Sequence, residues 1–194
     1  MFAHVPLKQQ VAPTTNSGHP PSTYSIMNDT TGPFSARQYD LSALALRCLQ
    51  PDDTESISTT LAAMDPWRTL GSTARGLQLY LDGNDPALKR FAIQVAAETI
   101  GVVCVRFPWL RGPYLELLAV FPSAQGQGAG RAILAWMEEE ARLAAKNQWA
   151  VVSESNVRAR HFYRKAQFVE VAALPDLVAK GHNEILLRKT LAPQ

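Results

Sequence analysis

The chain predicts a mixed α/β fold, one packed domain behind an N-terminal tail. Three observations lead there. An apolar run from Tyr114 to Val120 passes through a glycine-rich turn into an amphipathic helical pattern from Arg131 to Lys146. Two β-rich runs, Phe91 to Ala97 and Thr99 to Phe107, abut as a hairpin would. Hydrophobic residues make up 46% of the 194, enough to close one sizeable core.

Taken in order, residues 1–38 read as a flexible tail. Pro6, Pro13, Pro20, Pro21 and Pro33 stand among Ser, Thr, Asn and Gly, and no apolar period survives. Met27 offers an alternative start. The packed domain is expected over 39–194. Leu44 to Leu49 alternates as a first strand should. Asp52 or Asp53 caps a helix running to about Met64. Asp65-Pro66-Trp67 breaks it, because the residue before a proline avoids the helical region. A second helix fills Ser72 to Leu81, and Asp82-Gly83-Asn84 is a turn. The hairpin and the strand Tyr114 to Val120 come next. The following helix sets Ile133, Leu134, Trp136, Met137 and Leu143 inward and Glu138, Glu139 and Glu140 outward. Trp149 to Ser153 is a short strand, Asn156 to Lys165 a helix, and Phe168 to Ala172 and Ile185 to Leu191 closing strands.

Charge and composition narrow the function classes. A net charge of +2 is too small for a nucleic-acid partner, which calls for clustered Lys and Arg. The basic run Arg158, Arg160, Arg164 and Lys165 reads as a solvated face. No apolar stretch is long enough to span a bilayer, and no apolar signal core opens the chain, so a cytoplasmic protein without a membrane partner is expected. Cys48 and Cys104 lie in apolar runs and read as buried core thiols. No His/Cys/Asp spacing suits a metal, so none is expected.

The glycine turn is the chemical feature. Gln125-Gly126-Gln127-Gly128-Ala129-Gly130-Arg131 joins a strand to a helix. The first N–H groups of a helix lack intrahelical acceptors and carry partial positive charge. Glycines let a ligand approach that backbone. The default physical reading is an anion site, with a ligand-free turn as the bland alternative. A phosphate loop of the form GxxxxGK[ST] is excluded, because no Lys-Ser or Lys-Thr pair follows. The dinucleotide fingerprint fails too: Arg131 stands where its third glycine belongs, and about 20 residues on, where an acidic group should be, stands Ala150.

A second block, Val151 to Phe168, follows about thirty residues later. Gln125, Gly128 and Gly130 after the Leu118-Ala119-Val120 strand, with Asn156, Ala159, Tyr163, Lys165 and Phe168 downstream, resemble the GNAT superfamily of acetyl-CoA-dependent N-acetyltransferases. There the pattern Q/R-x-x-G-x-G/A is followed by N-x-x-A-x-x-x-Y-x-K-x-G-F. One position departs: Gln167 replaces the glycine before the phenylalanine. That glycine usually closes the helix in a left-handed conformation, so Gln167 implies a differently built or slightly strained helix end.

The resemblance covers about residues 42–192 and implies the GNAT acyltransferase fold, β-α-α-β-β-β-α-β-α-β-β around a mixed sheet. It implies acetyl transfer from acetyl-CoA to a primary amine of a small molecule or peptide, by direct attack in a ternary complex. The backbone of Gln125, Gly126, Gln127, Gly128, Ala129, Gly130 and Arg131 would hold the pyrophosphate. The backbone of Leu118, Ala119 and Val120 would pair with the pantetheine arm like an added strand. Asn156 would cap its helix, bond the pantetheine amide, or do both. Tyr163 shares a helix face with Asn156 and Ala159, and its phenol would protonate the departing thiolate. Glu116, a carboxylate in an apolar strand, is exposed, paired, or the base that deprotonates the amine. Strict alternation puts it on the side of Leu118 and Val120. Glu154 is a weaker candidate for the base. The acceptor walls would be Asp65-Pro66-Trp67, Phe107 to Leu110 and Leu174 to His182, with Trp67 read as core. Homodimers are common among such proteins. The competing readings are a non-catalytic acyl-CoA-binding or regulatory module on the same fold, a protein N-terminal acetyltransferase, and an unrelated nucleotide-binding fold.

Overall fold

The computed structural model describes residues 2–3 and 32–191. Most of the expected tail therefore lies outside the described residues. The part that is described belongs to the packed structure. Phe34 is 1% exposed and meets Phe107 and Trp136 edge-on, with ring centres 5.7 and 5.2 Å apart. Packing thus begins ahead of residue 39.

The elements are β1 (Phe2–Ala3), β2 (Gln38–Asp40), β3 (Ala45–Cys48), α1 (Pro51–Ala62), α2 (Ala74–Asp82), β4 (Leu88–Val95), β5 (Glu98–Trp109), β6 (Gly112–Val120), α3 (Ala129–Ala141), β7 (Asn147–Ser153), α4 (Val157–Lys165), β8 (Val169–Pro175) and β9 (Asn183–Thr190). From β3 onward this is the expected order. The additions, β1 and β2, are too short to leave an alternating signal. One sheet runs β2-β3-β4-β5-β6-β7-β9-β8, with β1 against β6. Every pairing is antiparallel except β6 with β7, because α3 carries the chain back across the sheet between them.

Two layers of helix cover the sheet. On one face, Ile133 and Met137 of α3 and Ala159 and Tyr163 of α4 pack on Leu115, Leu118, Val152 and Ile185. On the other, Ile57 and Leu61 of α1, Leu77 of α2 and Trp67 pack on Val102, Cys104, Leu117 and Ala119. Trp67 is core, as read from the sequence. Cys104 is fully buried, and burial pushes its thiol up to about 12. Cys48 is only half-buried, because β3 lies next to the edge of the sheet.

Helix ends differ from expectation for local reasons. α1 starts at Pro51 with Gln50 as its cap, and Asp53 accepts the Gln50 N–H at 2.8 Å from the third helical position. Thr73 caps α2, accepting from Gly76 N–H at 3.1 Å. α3 begins two residues early, at Ala129 behind its Gly128 cap, and stops at Ala141, leaving Leu143 exposed. The hairpin turns at Ala96 and Ala97, both left-handed, with φ of 48° and 66°.

One irregularity redirects the site. Cys104 pairs with Leu117 but Val105 pairs with Leu115, so Glu116 is the extra residue of a β-bulge. The bulge shifts the alternation by one. Leu115, Leu118 and Val120 face α3 and α4, while Leu117 and Ala119 face α1 and α2. Glu116 does not share a side with Leu118 and Val120; it reaches Tyr80 of α2.

Candidate active site

β6 and β7 pair only at Tyr114–Trp149 and Leu115–Ala150. Past that point they part, and β6 keeps β5 on its other side. In the parting, Phe2–Ala3 runs antiparallel to β6, with Phe2 opposite Ala119 and Ala3 opposite Leu118. The backbone edge expected for the pantetheine arm therefore already accepts a strand from its own chain. At Val120 the carbonyl takes the Gln125 Nε2 donor at 2.9 Å. That bond ties the glycine turn to the end of β6.

The turn has the shape an anion needs. A 3₁₀ turn, Pro122–Ala124, delivers the chain to Gly126 and Gly128, with φ of 82° and 90°. These are left-handed values that glycine adopts without penalty. Added Cβ atoms there would point into open space. Gly128 is the N-cap of α3 and offers no side-chain acceptor. Among the described residues, the N–H groups from Gly126 to Gly130 have no acceptor. Arg131 differs: its N–H donates to Gly128 O at 2.9 Å, so its backbone is spent within the helix.

Asn156 caps α4, its Oδ1 accepting the Ala159 N–H at 3.0 Å. Two turns on, Tyr163 is fully buried between Phe162 and Phe168, whose rings lie 5.2 and 5.4 Å away. Its hydroxyl has no hydrogen-bond partner among the described residues. Burial pushes its pKa above that of an ordinary phenol, so it holds its proton. Tyr114, on the opposite face, feels the charges of Tyr163, Glu116 and Glu184. An unpaired buried hydroxyl costs about 1–3 kcal/mol, so the fold spends stability here.

α4 closes as the sequence suggested. Gln167 sits at φ 70° where the resemblance expects glycine. Its N–H donates to Arg164 O and the Phe168 N–H to Tyr163 O, both at 3.0 Å. This is a complete Schellman ending with the wrong residue at its left-handed position.

Glu116 is held rather than available. Arg106 Nε donates to its Oε2 at 2.6 Å and Arg106 Nη2 to its Oε1 at 3.3 Å, while the Tyr80 hydroxyl donates to Oε1 at 3.1 Å. Arg106 also pairs with Asp85 at 2.7 Å. The paired reading of Glu116 is the one realised, with three hydrogen-bond donors on its two oxygens. Glu154, the weaker candidate, is exposed and accepts from Asn183 Nδ2 at 3.0 Å.

A cleft of about 380 Å³ opens between three segments. Asp65, Pro66, Thr69 and Leu70 supply the linker after α1. Ser153, Ser155 and Asn156 supply the end of β7, and His182 the loop before β9. Residues of two of the three segments expected to wall the acceptor site therefore line this cleft. The third, Phe107 to Leu110, does not line the cleft. Trp109 instead packs on Tyr114 and Trp149, at 4.8 and 5.5 Å. Behind Ser153 stands Glu184, 2% exposed, which accepts the Ser153 hydroxyl at 2.8 Å. Sequence reading missed both residues. Ser153 was the last residue of an expected strand, and Glu184 lay just outside the expected Ile185 to Leu191. A carboxylate at the start of the apolar run Ile185 to Leu187 was the one signal for Glu184.

The profile of the acetyltransferase (GNAT) family matches residues 51–168. The chain belongs to this family. Solved GNAT structures repeat the fold. A GNAT-family protein from Desulfovibrio desulfuricans is 24% identical, with a TM-score of 0.63 over 77% of this chain and 100% of its own. Spermidine N-acetyltransferase SpeG from Vibrio cholerae is 21% identical, with a TM-score of 0.60 over 77% and 94%. Ard1 from Thermoplasma volcanium is 19% identical, with a TM-score of 0.61 over 77% and 99%. At these identities the likeness is one of fold. No curated protein matches the chain by sequence. Among the described residues, no helix of this acetyltransferase is long and apolar enough to cross a membrane.

Proposed function

We propose that this acetyltransferase carries the acetyl group of acetyl-CoA to a primary amine of a small molecule or peptide, by direct attack in a ternary complex. The observation that carries the reading is the Tyr163 hydroxyl, buried without a partner among the described residues, in the core cluster that holds Leu115 and Leu118 of β6 and Ala150 and Val152 of β7. Acetyl-CoA supplies an activated thioester. The open N–H groups of Gly126 to Gly130 fit its pyrophosphate, and the Leu118 to Val120 edge fits its pantetheine arm. Asn156 keeps its amide nitrogen for the arm while its oxygen caps α4. Tyr163 holds a proton at neutral pH and delivers it to the departing sulfur. The cleft beside Ser153, Asn156 and Asp65 admits the amine. Spermidine acceptance by a structural relative makes polyamines the first acceptors to try.

The test is thiol release from acetyl-CoA over a panel of polyamines, amino acids and N-terminal peptides, with CoA and NAD compared by calorimetry. CoA should bind and NAD should not. Gly128→Val should abolish CoA binding, because it sets a side chain in the anion's space and strains a φ of 90°. Tyr163→Phe should lower turnover about 10²-fold or more with little change in CoA affinity. Normal CoA binding by the Gly128 variant would remove the pyrophosphate site. Binding without transfer to any amine would leave a non-catalytic acyl-CoA module.

A further inference from the structure

We propose that Ser153 and Glu184 form the proton relay that neutralises the acceptor amine. The inference rests on the amine-transfer reading above. An ammonium group has no lone pair, so it must lose a proton before it attacks. Glu116 is occupied by Arg106 and Tyr80 on the α2 side of the sheet. Ser153 and Glu184 are register partners across β7 and β9, at the end of the pairing that faces the cleft. Ser153 lines the cleft, and its hydroxyl donates to Glu184 Oε1 at 2.8 Å. Among the described residues this is the only hydrogen bond that the Glu184 side chain makes. Among the described residues no Lys, Arg or His forms an ion pair with it, although the residue is almost wholly enclosed.

The surroundings suit an acceptor of protons. Desolvation raises the Glu184 carboxyl above its ordinary value, while the Ser153 hydrogen bond and the neighbouring His182 oppose that rise. Tyr114 faces it from β6. From β8 its register partner is Leu174, which carries no charge. Glu154 stands beside Ser153, and Asp65 lies across the cleft.

The step balances without a further reactant. The ammonium passes one proton to Ser153 Oγ as the Ser153 proton passes to Glu184. The freed lone pair forms the C–N bond at the thioester carbon, the C–S bond breaks, and the Tyr163 proton goes to sulfur. The new amide nitrogen sheds its second proton, which restores the Tyr163 phenol, and Glu184 returns its own proton through Ser153 to water. Ser153 touches the acceptor, and Glu184 acts through it.

The test pairs ethylamine with trifluoroethylamine, which have similar shapes. The first is an ammonium at neutral pH and the second is largely neutral. Glu184→Gln should lower kcat/KM for ethylamine about 10²-fold, at least tenfold more than for trifluoroethylamine. The same variant should lose the acid limb of the pH–rate profile, and Glu184→Asp should recover part of the rate. Ser153→Ala, which leaves the carboxylate in place, should show the same preference for the fluorinated amine. Equal losses with both amines, or an unchanged acid limb, would overturn the relay. Wild-type protein that binds CoA yet acetylates neither amine would overturn amine transfer itself, and the relay with it.

Discussion

Arg106 Nε lies 2.6 Å from Glu116 Oε2, across the β5–β6 hairpin and beneath the hydroxyl of Tyr80. The contact holds the charged residue of β6 in place on the α2 side of the sheet. Arg106→Met should cost about 3 kcal/mol by chemical denaturation, because it strands a largely buried carboxylate. The double variant with Glu116→Leu should recover most of that loss. In folded protein, Glu116→Gln should reduce turnover less than tenfold. A loss near 10³-fold would restore Glu116 as the base.

The ending of α4 offers a stabilising change. Gln167 occupies a left-handed position at φ 70°, exposed and bonded only through its backbone. A side chain there costs roughly 1–2 kcal/mol relative to glycine, partly offset by glycine's freedom in the unfolded chain. Gln167→Gly should therefore raise stability by about 1 kcal/mol, with turnover unchanged. A fall in melting temperature would mean that the position is not strained.

The N-terminal strand and the proposed pantetheine arm claim the same edge of β6. Phe2 and Ala3 pair with Ala119 and Leu118, so CoA bound as proposed would displace them. Two backbone hydrogen bonds are worth about 1–3 kcal/mol together. Removing residues 1–26 should tighten CoA binding by calorimetry about five- to tenfold. Unchanged affinity would place the arm elsewhere or show that the strand does not compete.

Glu184 also makes a prediction for stability. Its carboxyl is raised by burial, so the fold prefers the neutral form. The stability it contributes is complete below the ordinary glutamate value of about 4.3 and is lost as pH climbs through the raised value. Glu184→Gln carries no such loss. Its advantage over wild type should be near zero at pH 4, grow as pH rises, and level off above the raised value. A variant that is relatively less stable at pH 7 than at pH 4 would sink the idea that the charge is disfavoured there.

Much of this was legible in the chain. The strand order from β3 to β9 follows from apolar runs and glycine punctuation, and those patterns survive without knowledge of neighbours. The Gly126 to Gly130 turn and the Asn156 cap are local, so local spacing reported them, and the Gln167 irregularity came from the family resemblance. Glu116 was misplaced because alternation assumes an unbroken pleat. The bulge that breaks it is set by pairing with β5, which lies ten or more residues away. Glu184 was overlooked because a carboxylate in a strand says nothing of which hydroxyl stands opposite. Its partnership with Ser153 spans 31 residues and exists only after β7 and β9 pair.

Sequence alone determined the fold class, the order of the elements, and the backbone turn with its phenol downstream. Each depends on contacts within a few residues of the chain. Tertiary structure alone decided which carboxylate is locked and which stands behind the cleft. It also decided that the open edge of β6 is met by the chain's own first residues. Those are matters of long-range pairing and burial, and only closure of the sheet sets the distances on which they turn.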